Sequence, residues 1–231
     1  MESLKRLLQD QYQIQFKNER LLKEAFTHSS YANEHREEQL PCNERLEYLG
    51  DAVLELLVST YLFKEYPELP EGKLTRFRAA IVKEDSLAYF AKEVHFDEHI
   101  FLGKGEEKAN GRQRPALLCD LFEAFLGALY LDQGLEKVQA FLDQVMFPKV
   151  KSGTFTSAVD YKTKLQELLQ KQGEVKIQYQ LVAEEGPAHN RSFKMAVYCD
   201  GNLLSVGTGR SKKQAEQIAA QKAIQEWQER G

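Results

Sequence analysis

The chain has 231 residues, of which 42% are hydrophobic and 29% are charged, and its formal net charge is −4. This length exceeds that of most single domains, and the composition excludes both a disordered chain and a membrane-embedded one. No segment approaches the ~18 uninterrupted apolar residues of a membrane span, and the first residues lack the apolar segment of a secretory signal. We therefore expect a cytoplasmic protein with no membrane association.

The charged residues are unevenly distributed along the chain. From residue 155 onward there are 11 Lys and Arg against 9 Asp and Glu, whereas the preceding residues have 20 against 26. A mildly basic C-terminal part on an acidic body indicates that polyanion binding belongs to the C-terminal part.

The three cysteines stand singly, without the pairing typical of a zinc site, and an odd number leaves at least one thiol unpaired. We expect reduced thiols in or near the core.

The first part of the chain, residues 1–148, has helical periodicity nearly throughout and is predicted to be all-α. A long central helix over residues 43–66 ends before Pro67 and Pro70, because proline disrupts a helix. Its buried stripe is predicted to contain Leu46, Leu49, Val53, Leu56, Leu57 and Tyr61. Other helices are predicted near residues 4–8 and at 21–26, 73–81, 86–92, 116–130 and 135–145.

Residues 149–158 lack a helical or strand period and are predicted to be a linker. The pattern after them predicts a helix at 161–172, strands at 177–182, 192–199 and 203–208, and a final helix at 212–228. Asp200 and Gly201 predict a hairpin turn between the last two strands. The order α-β-β-β-α over residues 159–231 is typical of an α+β domain with two helices on one face of an antiparallel sheet. The fold class is therefore multi-domain.

Carboxylates recur on the predicted central helix in the segment NERLEYLGDAVLELL. Glu44, Glu47 and Asp51 stand at i, i+3 and i+7, so they line one narrow face. A second, strongly apolar segment, LLCDLFEAFLGALY, contains Asp120 and Glu123 at i and i+3. Like charges this close repel one another, and the repulsion is larger where the helix is buried.

Two explanations compete for these acids. For either helix alone, the ordinary explanation is a solvated acidic face. Two apolar helices that both contain acids favour a shared site instead, at which a divalent cation offsets the repulsion. Oxygen ligands without accompanying histidines select a hard ion, Mg²⁺ or Mn²⁺, and Mg²⁺ suits phosphodiester hydrolysis. A di-metal oxidase is excluded because the helices lack the Glu-x-x-His pairs of such sites.

The segment NERLEYLGDAVLE resembles the signature motif of the ribonuclease III family, and CDLFEAFLGALY resembles that family's second acidic motif. FTHSSYANE and EGKLTRFRAAIV match the family in kind and order. The resemblance implies that Asp51 and Glu123 are catalytic and that Glu47, Asp120 and Glu123 bind Mg²⁺, with Mn²⁺ able to substitute. It also implies a structural role for Glu44 near the dimer contact and a second-metal or dimer role for Glu71.

The family resemblance further implies a homodimer in which each subunit cuts one strand of double-stranded RNA. Its products would have 5′-phosphates and short 3′ overhangs, and its substrates would include ribosomal RNA precursors and other structured transcripts. The chain departs from the family at Tyr48, where Phe is frequent, and at Cys119, where a small residue such as Ala is common. Neither departure removes a carboxylate.

Residues 159–229 resemble a double-stranded-RNA-binding domain. The resemblance rests on three local patterns, and it implies RNA contacts by Thr163, Gln166, Glu167, Pro187, His189, Lys212 and Lys213. The first three would contact a minor groove, the Pro187–His189 loop would contact the next, and the two lysines would contact the phosphates between them. Each pattern alone has an ordinary explanation, since a Gly-Pro loop is usually a turn and a Ser-Lys-Lys start is usually a helix cap.

The sequence thus favours a Mg²⁺-dependent endonuclease that acts on double-stranded RNA. The alternative is a non-catalytic RNA-binding regulator that keeps its helical domain only for dimerisation. The carboxylates distinguish the two hypotheses, because a protein without catalytic activity has no physical need to keep four acids in apolar helices.

Overall fold

The structure, a computed structural model, describes residues 1–152, 161–170, 175–185 and 191–230, apart from the side chains of residues 163 and 228–230. The chain divides into two compact units, Met1–Pro148 and Lys149–Gly231. The fold class agrees with the prediction, because a helical unit precedes a unit with a three-stranded antiparallel sheet. Among the described residues, none of the helices has the length and apolarity needed to cross a membrane.

The first unit is built from helices. Their bounds are α1 Glu2–Tyr12, α2 Glu19–Ala25, α3 Ser29–Glu34, α4 Glu44–Glu65, α5 Glu71–Val82, α6 Glu84–Glu93, α7 Lys104–Lys108, α8 Pro115–Gln133 and α9 Leu135–Val145. A further short helix, α10 Phe147–Lys151, runs into the first residues of the segment predicted as a linker, and residues 153–158 of that segment lie outside the described residues.

Helices α4 and α8 pack against each other at the centre of this unit. Nearly every residue of the middle of α8, from Leu117 to Leu129, is buried. Around this helix, Phe96 lies 4.7 Å from Phe125 between ring centroids, and Phe125 lies 5.1 Å from Phe141. Helix α8, which contains the acidic motif, is therefore anchored by a tightly packed aromatic core.

The predicted stripe of α4 is partly wrong. Leu46, Val53 and Leu57 are buried as predicted, but Leu56 is 54% exposed and Leu49 is only half-buried. The buried face instead continues through Gly50, Leu54, Val58 and Leu62. Because α4 is apolar around most of its circumference, periodicity alone could not show which face packs on α8.

The structure contains helices that the periodicity did not predict. Helices α3 and α7 have only 6 and 5 residues, which is too short for a repeating apolar stripe. Local contacts support α3, because the Nδ1 atom of His28 accepts a hydrogen bond of 3.2 Å from the backbone N–H of Ser30. Pro115 is the first residue of α8, where its missing N–H costs no helical hydrogen bond.

The second unit has the element order α-β-β-β-α. Its elements are α11 Tyr161–Gln170, β1 Ile177–Glu185, β2 Ser192–Cys199, β3 Asn202–Gly209 and α12 Lys212–Arg230. The strands form one antiparallel sheet in the order β1-β2-β3. Asp200 and Gly201 both have positive φ, 49° and 82°, so they form the predicted tight turn between β2 and β3.

Helix α12 packs against β2 and β3, and α11 packs against α12. Gly207 of β3 allows the close contact, because a Cβ at this position would collide with the backbone of Ala215 and Ala219. The Ser205 hydroxyl donates a hydrogen bond of 2.5 Å to the carbonyl oxygen of Ala219. Small residues at these positions thus let α12 approach the sheet closely.

Candidate active site and nucleic-acid interface

Two glycines set the distance between α4 and α8. A Cβ on Gly50 of α4 would collide with the backbone carbonyl of Glu123 on α8. Gly127 makes the reciprocal contact, since a Cβ there would collide with the carbonyl of Leu46. The two helices therefore touch through their backbones, and side chains that flank this contact are brought to the same region.

Three side chains of α8 form a tight group next to the contact. The Sγ of Cys119 and one carboxylate oxygen each of Asp120 and Glu123 lie within 4.8 Å of one another. Glu123 is only 9% exposed. Among the described residues it has no hydrogen-bond or ion-pair partner. A buried carboxylate without a partner is costly unless it is protonated or meets a cation.

The charge environment of Glu123 is strongly unfavourable to its ionised form. Burial, and after it the negative charges of Asp51, Asp120 and Glu47, raise the pKa of Glu123 to about 8. Near neutral pH, a metal-free site therefore holds a largely protonated Glu123. A bound dication would stabilise the carboxylate form, because an opposite charge favours ionisation.

The acids of α4 act on the same region. Burial raises the pKa of Glu47, and the charges of Asp120, Glu44 and Asp51 add to the effect. Burial also raises the pKa of Asp120, followed by the charge of Glu84. Glu47 is half-buried and Asp51 is exposed, and neither belongs to the tight group on α8. The site is thus one acidic region in which the α8 acids are the more buried.

The two remaining acids of the sequence hypothesis occupy different places. Glu44 is the exposed first residue of α4, and its charge acts on both Glu47 and Asp120. Glu71 is the exposed first residue of α5, and its carboxylate accepts a hydrogen bond of 2.8 Å from the Thr75 hydroxyl. Glu71 is not among the charges that raise the pKa values of Glu47, Asp120 and Glu123.

The sequence analysis did not predict three residues that lie near the site or act on it. Glu55 adds negative charge at Glu123, and its position at i+4 from Asp51 could have indicated this. Glu84 comes from α6, a separate helix, and no local spacing connects it to Asp120. Cys119 was noted only as a departure from the family pattern, but its sulfur lies within the tight group.

The Cys119 thiol stays protonated in this environment. Burial raises the pKa of Cys119, and the charges of Glu123 and Asp120 raise it further. All three cysteines are free thiols, as expected from their number and spacing. A neutral thiol is a poor ligand for a hard ion, so Mg²⁺ would depend on the oxygen atoms of the site.

Helix α11 presents two of the predicted RNA-contacting residues. Gln166 and Glu167 are exposed on this helix. The backbone of Thr163 is helical, but its side chain lies outside the described residues, as do Pro187 and His189. Lys162 connects the two helices of the unit, because its Nζ lies 2.7 Å from the Glu216 carboxylate.

Helix α12 begins with the two predicted phosphate-binding lysines, Lys212 and Lys213, which are both exposed. The preceding Ser211 caps the helix, because its hydroxyl accepts a hydrogen bond of 3.2 Å from the backbone N–H of Gln214. Capping and phosphate binding are compatible here. The positive end of a 19-residue helix and two lysines favour an anion at the same position.

Comparisons with known proteins agree with both units. A family model described as ribonuclease-III-like matches residues 18–150, and the double-stranded RNA binding motif matches residues 161–226. Ribonuclease 3 of Enterococcus faecalis is 60% identical over 217 residues, which cover 94% of each chain. Ribonuclease 3 of Streptococcus gordonii is 57% identical over 225 residues, which cover 97% of each chain.

A solved structure gives the same assignment for the first unit. The nuclease domain of ribonuclease III from Campylobacter jejuni is 36% identical, with a TM-score of 0.57, and the match covers 64% of this chain and 97% of that domain. The matched models, the identities and the acidic helix pair agree with one another. The chain therefore belongs to the ribonuclease III family and is an endoribonuclease that carries a double-stranded RNA binding motif after its nuclease unit.

Proposed function

We propose that this endoribonuclease hydrolyses phosphodiester bonds of double-stranded RNA with Mg²⁺ held by Glu47, Asp120 and Glu123, and that Asp51 and Glu123 are its catalytic residues. The observation that carries the proposal is the unpartnered, nine-tenths buried carboxylate of Glu123 beside Asp120. Both are surrounded by further acids rather than by lysines or arginines that would neutralise them.

The donor set suits a hard dication. Carboxylate oxygens are the ligands that Mg²⁺ and Mn²⁺ prefer. Burial, and after it the charges of the neighbouring acids, raise the pKa of Glu123, so its ionised form would be stabilised by a cation. When bound, the ion would supply a Lewis acid for the phosphate and lower the pKa of a water. Exposed Asp51 and half-buried Glu47 leave one side of the site open to a phosphodiester.

Substrate binding would be divided along the chain. We assign the nuclease and dimerisation unit to residues 1–148, a linker to 149–158 and the RNA-binding domain to 159–231. The first three residues of that linker belong to α10. In the last of these, Thr163, Gln166 and Glu167 would meet one minor groove, Pro187 and His189 the next, and Lys212 and Lys213 the intervening phosphates. Such contacts recognise the shape of A-form RNA rather than its sequence.

The natural substrates would then be long or structured duplexes. Ribosomal RNA precursors and other folded transcripts, including messenger RNAs, have such duplexes. The expected products have 5′-phosphates and short 3′ overhangs, since each subunit of a dimer would cut one strand at a fixed offset.

An apolar stripe on α4 supports the homodimer. Tyr48, Leu56 and Phe63 are 81%, 54% and 72% exposed, and their spacing of 8 and 7 residues places them on one face. A second copy of this chain is the occupant we assign to that face, with Glu44 and Glu71 near the contact. A solved ribonuclease III nuclease domain from Campylobacter jejuni is described as having a region involved in dimer formation.

The dimer is tested by light scattering coupled to gel filtration. We expect Leu56→Arg to shift the protein from dimer to monomer, because a charge would be buried in the interface. Leu131→Arg is a matched control, since Leu131 is 53% exposed but lies at the end of α8. A Leu56→Arg variant that stays dimeric would place the contact elsewhere.

The activity is tested by incubating the protein with a long RNA duplex in Mg²⁺, in Mn²⁺ and in EDTA. We expect shortening of the duplex with either ion and none in EDTA, and 5′-phosphates on the product ends. Single-stranded RNA of the same sequence is the control for substrate class. Binding without metal-dependent shortening would support the regulator alternative instead.

A further inference from the structure

The sulfur of Cys119 is not explained by Mg²⁺ chemistry. It lies within 4.8 Å of the ligand oxygens of Asp120 and Glu123, at positions i, i+1 and i+4 of one helix. A hard ion gains nothing from a thiol, whereas Zn²⁺ and other thiophilic ions bind thiolate strongly. The group therefore contains one ligand that distinguishes between two classes of metal.

A second observation also points to a ligand at this position. Glu123 is nine-tenths buried, directs its carboxylate into the group, and has no hydrogen-bond or ion-pair partner in the part of the chain that the structure describes. An isolated carboxylate in such a place is stabilised by a cation. A cation that contacts Glu123 at this point is also within reach of the Cys119 sulfur.

We propose that Cys119, Asp120 and Glu123 form a mixed sulfur and oxygen site for a thiophilic dication, Zn²⁺ or Cd²⁺, and that this ion inhibits the nuclease by occupying two of its Mg²⁺ ligands. The binding does not depend on the proposed function. The inhibition rests on it, because Asp120 and Glu123 must serve both metals.

The geometry suits three protein ligands on a tetrahedral ion. Zn²⁺ binds sulfur at about 2.3 Å and carboxylate oxygen at about 2.0–2.2 Å, so ligand atoms in a tetrahedral site lie about 3.5 Å apart. The atoms of the group lie within 4.8 Å, so small side-chain rotations suffice. A metal–sulfur bond forms as the S–H bond breaks, and the proton is released to solvent. Water would fill the fourth position, and no atom is oxidised or reduced.

The binding is tested on the full-length, metal-free protein with Cd²⁺ as the probe. We expect an ultraviolet thiolate-to-cadmium charge-transfer band that saturates at one Cd²⁺ per chain. Cys119→Ala should abolish the band, whereas Cys42→Ser and Cys199→Ser should retain it, since neither thiol belongs to a three-ligand group among the described residues. A band that survives in Cys119→Ala, or no band in the wild type, would overturn the proposal.

The inhibition is tested by titrating Zn²⁺ into Mg²⁺-supported cleavage of duplex RNA. We expect Cys119→Ala to cleave as the wild type does in Mg²⁺ alone but to need at least about 10-fold more Zn²⁺ for half-inhibition, since even the loss of a residue that only supports a metal ligand weakens binding by about 10- to 100-fold. Equal Zn²⁺ sensitivity of the two proteins would contradict the inhibitory role. If neither protein cleaves RNA, the proposed function fails, while the cadmium band still decides the binding.

Discussion

Each unit contains a glycine that allows two elements to meet through their backbones, but the side chains around the two contacts differ. In the first unit, Gly50 brings α4 against the backbone of α8 beside Glu123. In the second unit, Gly207 brings β3 against the backbone of α12 at Ala215 and Ala219. Next to the first contact lie the buried Glu123 and the partly buried Asp120, whereas the methyl groups of alanines lie next to the second.

This difference suits the first unit to catalysis and the second unit to binding. Carboxylates in a buried, glycine-mediated contact have shifted pKa values and a strong demand for a cation, which is the requirement of a metal-dependent active site. The second unit instead has Lys212 and Lys213 at an exposed helix end, where an interaction with a polyanion would carry no burial cost. Each of the following experiments alters one side of this comparison.

The largest effect is expected from Glu123→Ala, which removes the buried acid. We expect RNA cleavage in Mg²⁺ to fall by about 1,000-fold or more, because a metal ion contributes several kcal/mol to transition-state stabilisation and about 1.4 kcal/mol corresponds to a factor of ten. Duplex affinity should stay unchanged, since the second unit is intact. Single-turnover cleavage and a filter-binding titration measure the two quantities.

Glu136→Ala is a suitable control for this variant, because Glu136 is an exposed glutamate at the start of α9 and is not among the charges that raise the pKa values of Glu47, Asp120 or Glu123. It should cleave and bind as the wild type does. A Glu123→Ala protein that retains most of its cleavage rate would remove Glu123 from the catalytic centre.

The second effect is a pH dependence of stability in the metal-free protein. The pKa of Glu123 is about 8 in the folded chain, against 4.5 as its ordinary value, so the folded state binds more protons between these limits. The contribution of Glu123 to stability should therefore be fully present below about pH 4.5 and should be lost as the pH rises toward 8, by about 2–4 kcal/mol. Raised pKa values of Glu47 and Asp120 act in the same direction.

Denaturant unfolding in EDTA at several pH values measures this decline. Glu123→Gln should flatten most of it, because the amide does not ionise, and Mg²⁺ should reduce it in the wild type. A slope that is identical in the wild type and in Glu123→Gln would show that Glu123 ionises normally.

The sequence could predict features that depend on local patterns, but not those that depend on how separate helices pack. Long elements with a clear period were predicted closely, and β2 has the bounds expected from its alternation. The acids of α4 and α8 could be chosen as candidates because their helical spacing is local, and the structure brings the ligand oxygens of Asp120 and Glu123 together. The approach of Glu84 and the exposure of Leu56 depend on how separate helices pack, and no local pattern contains that information.

A smaller effect is expected from Gly50→Ala, which forces α4 and α8 apart. The added methyl group collides with the carbonyl of Glu123, so we expect a loss of about 1–3 kcal/mol in stability and a weaker metal site. Gly72→Ala in α5 is the matched control, since a Cβ there meets no atom within 4 Å. It should stabilise the protein by about 0.5–1 kcal/mol. Equal destabilisation by both variants would exclude a specific helix contact at Gly50.

The smallest effect per residue is expected at the start of α12. Replacing Lys212 or Lys213 by alanine should weaken duplex binding and lower the slope of log affinity against log salt by about one per lysine, because each lysine neutralises about one phosphate. Lys222→Ala is the control, since Lys222 is also exposed but stands ten residues further along α12. Cleavage of saturating duplex should be unchanged in all three variants. If Lys222→Ala lowers the slope as much as Lys212→Ala, binding depends on the overall charge of α12. Lys212 and Lys213 would then not be specific phosphate contacts.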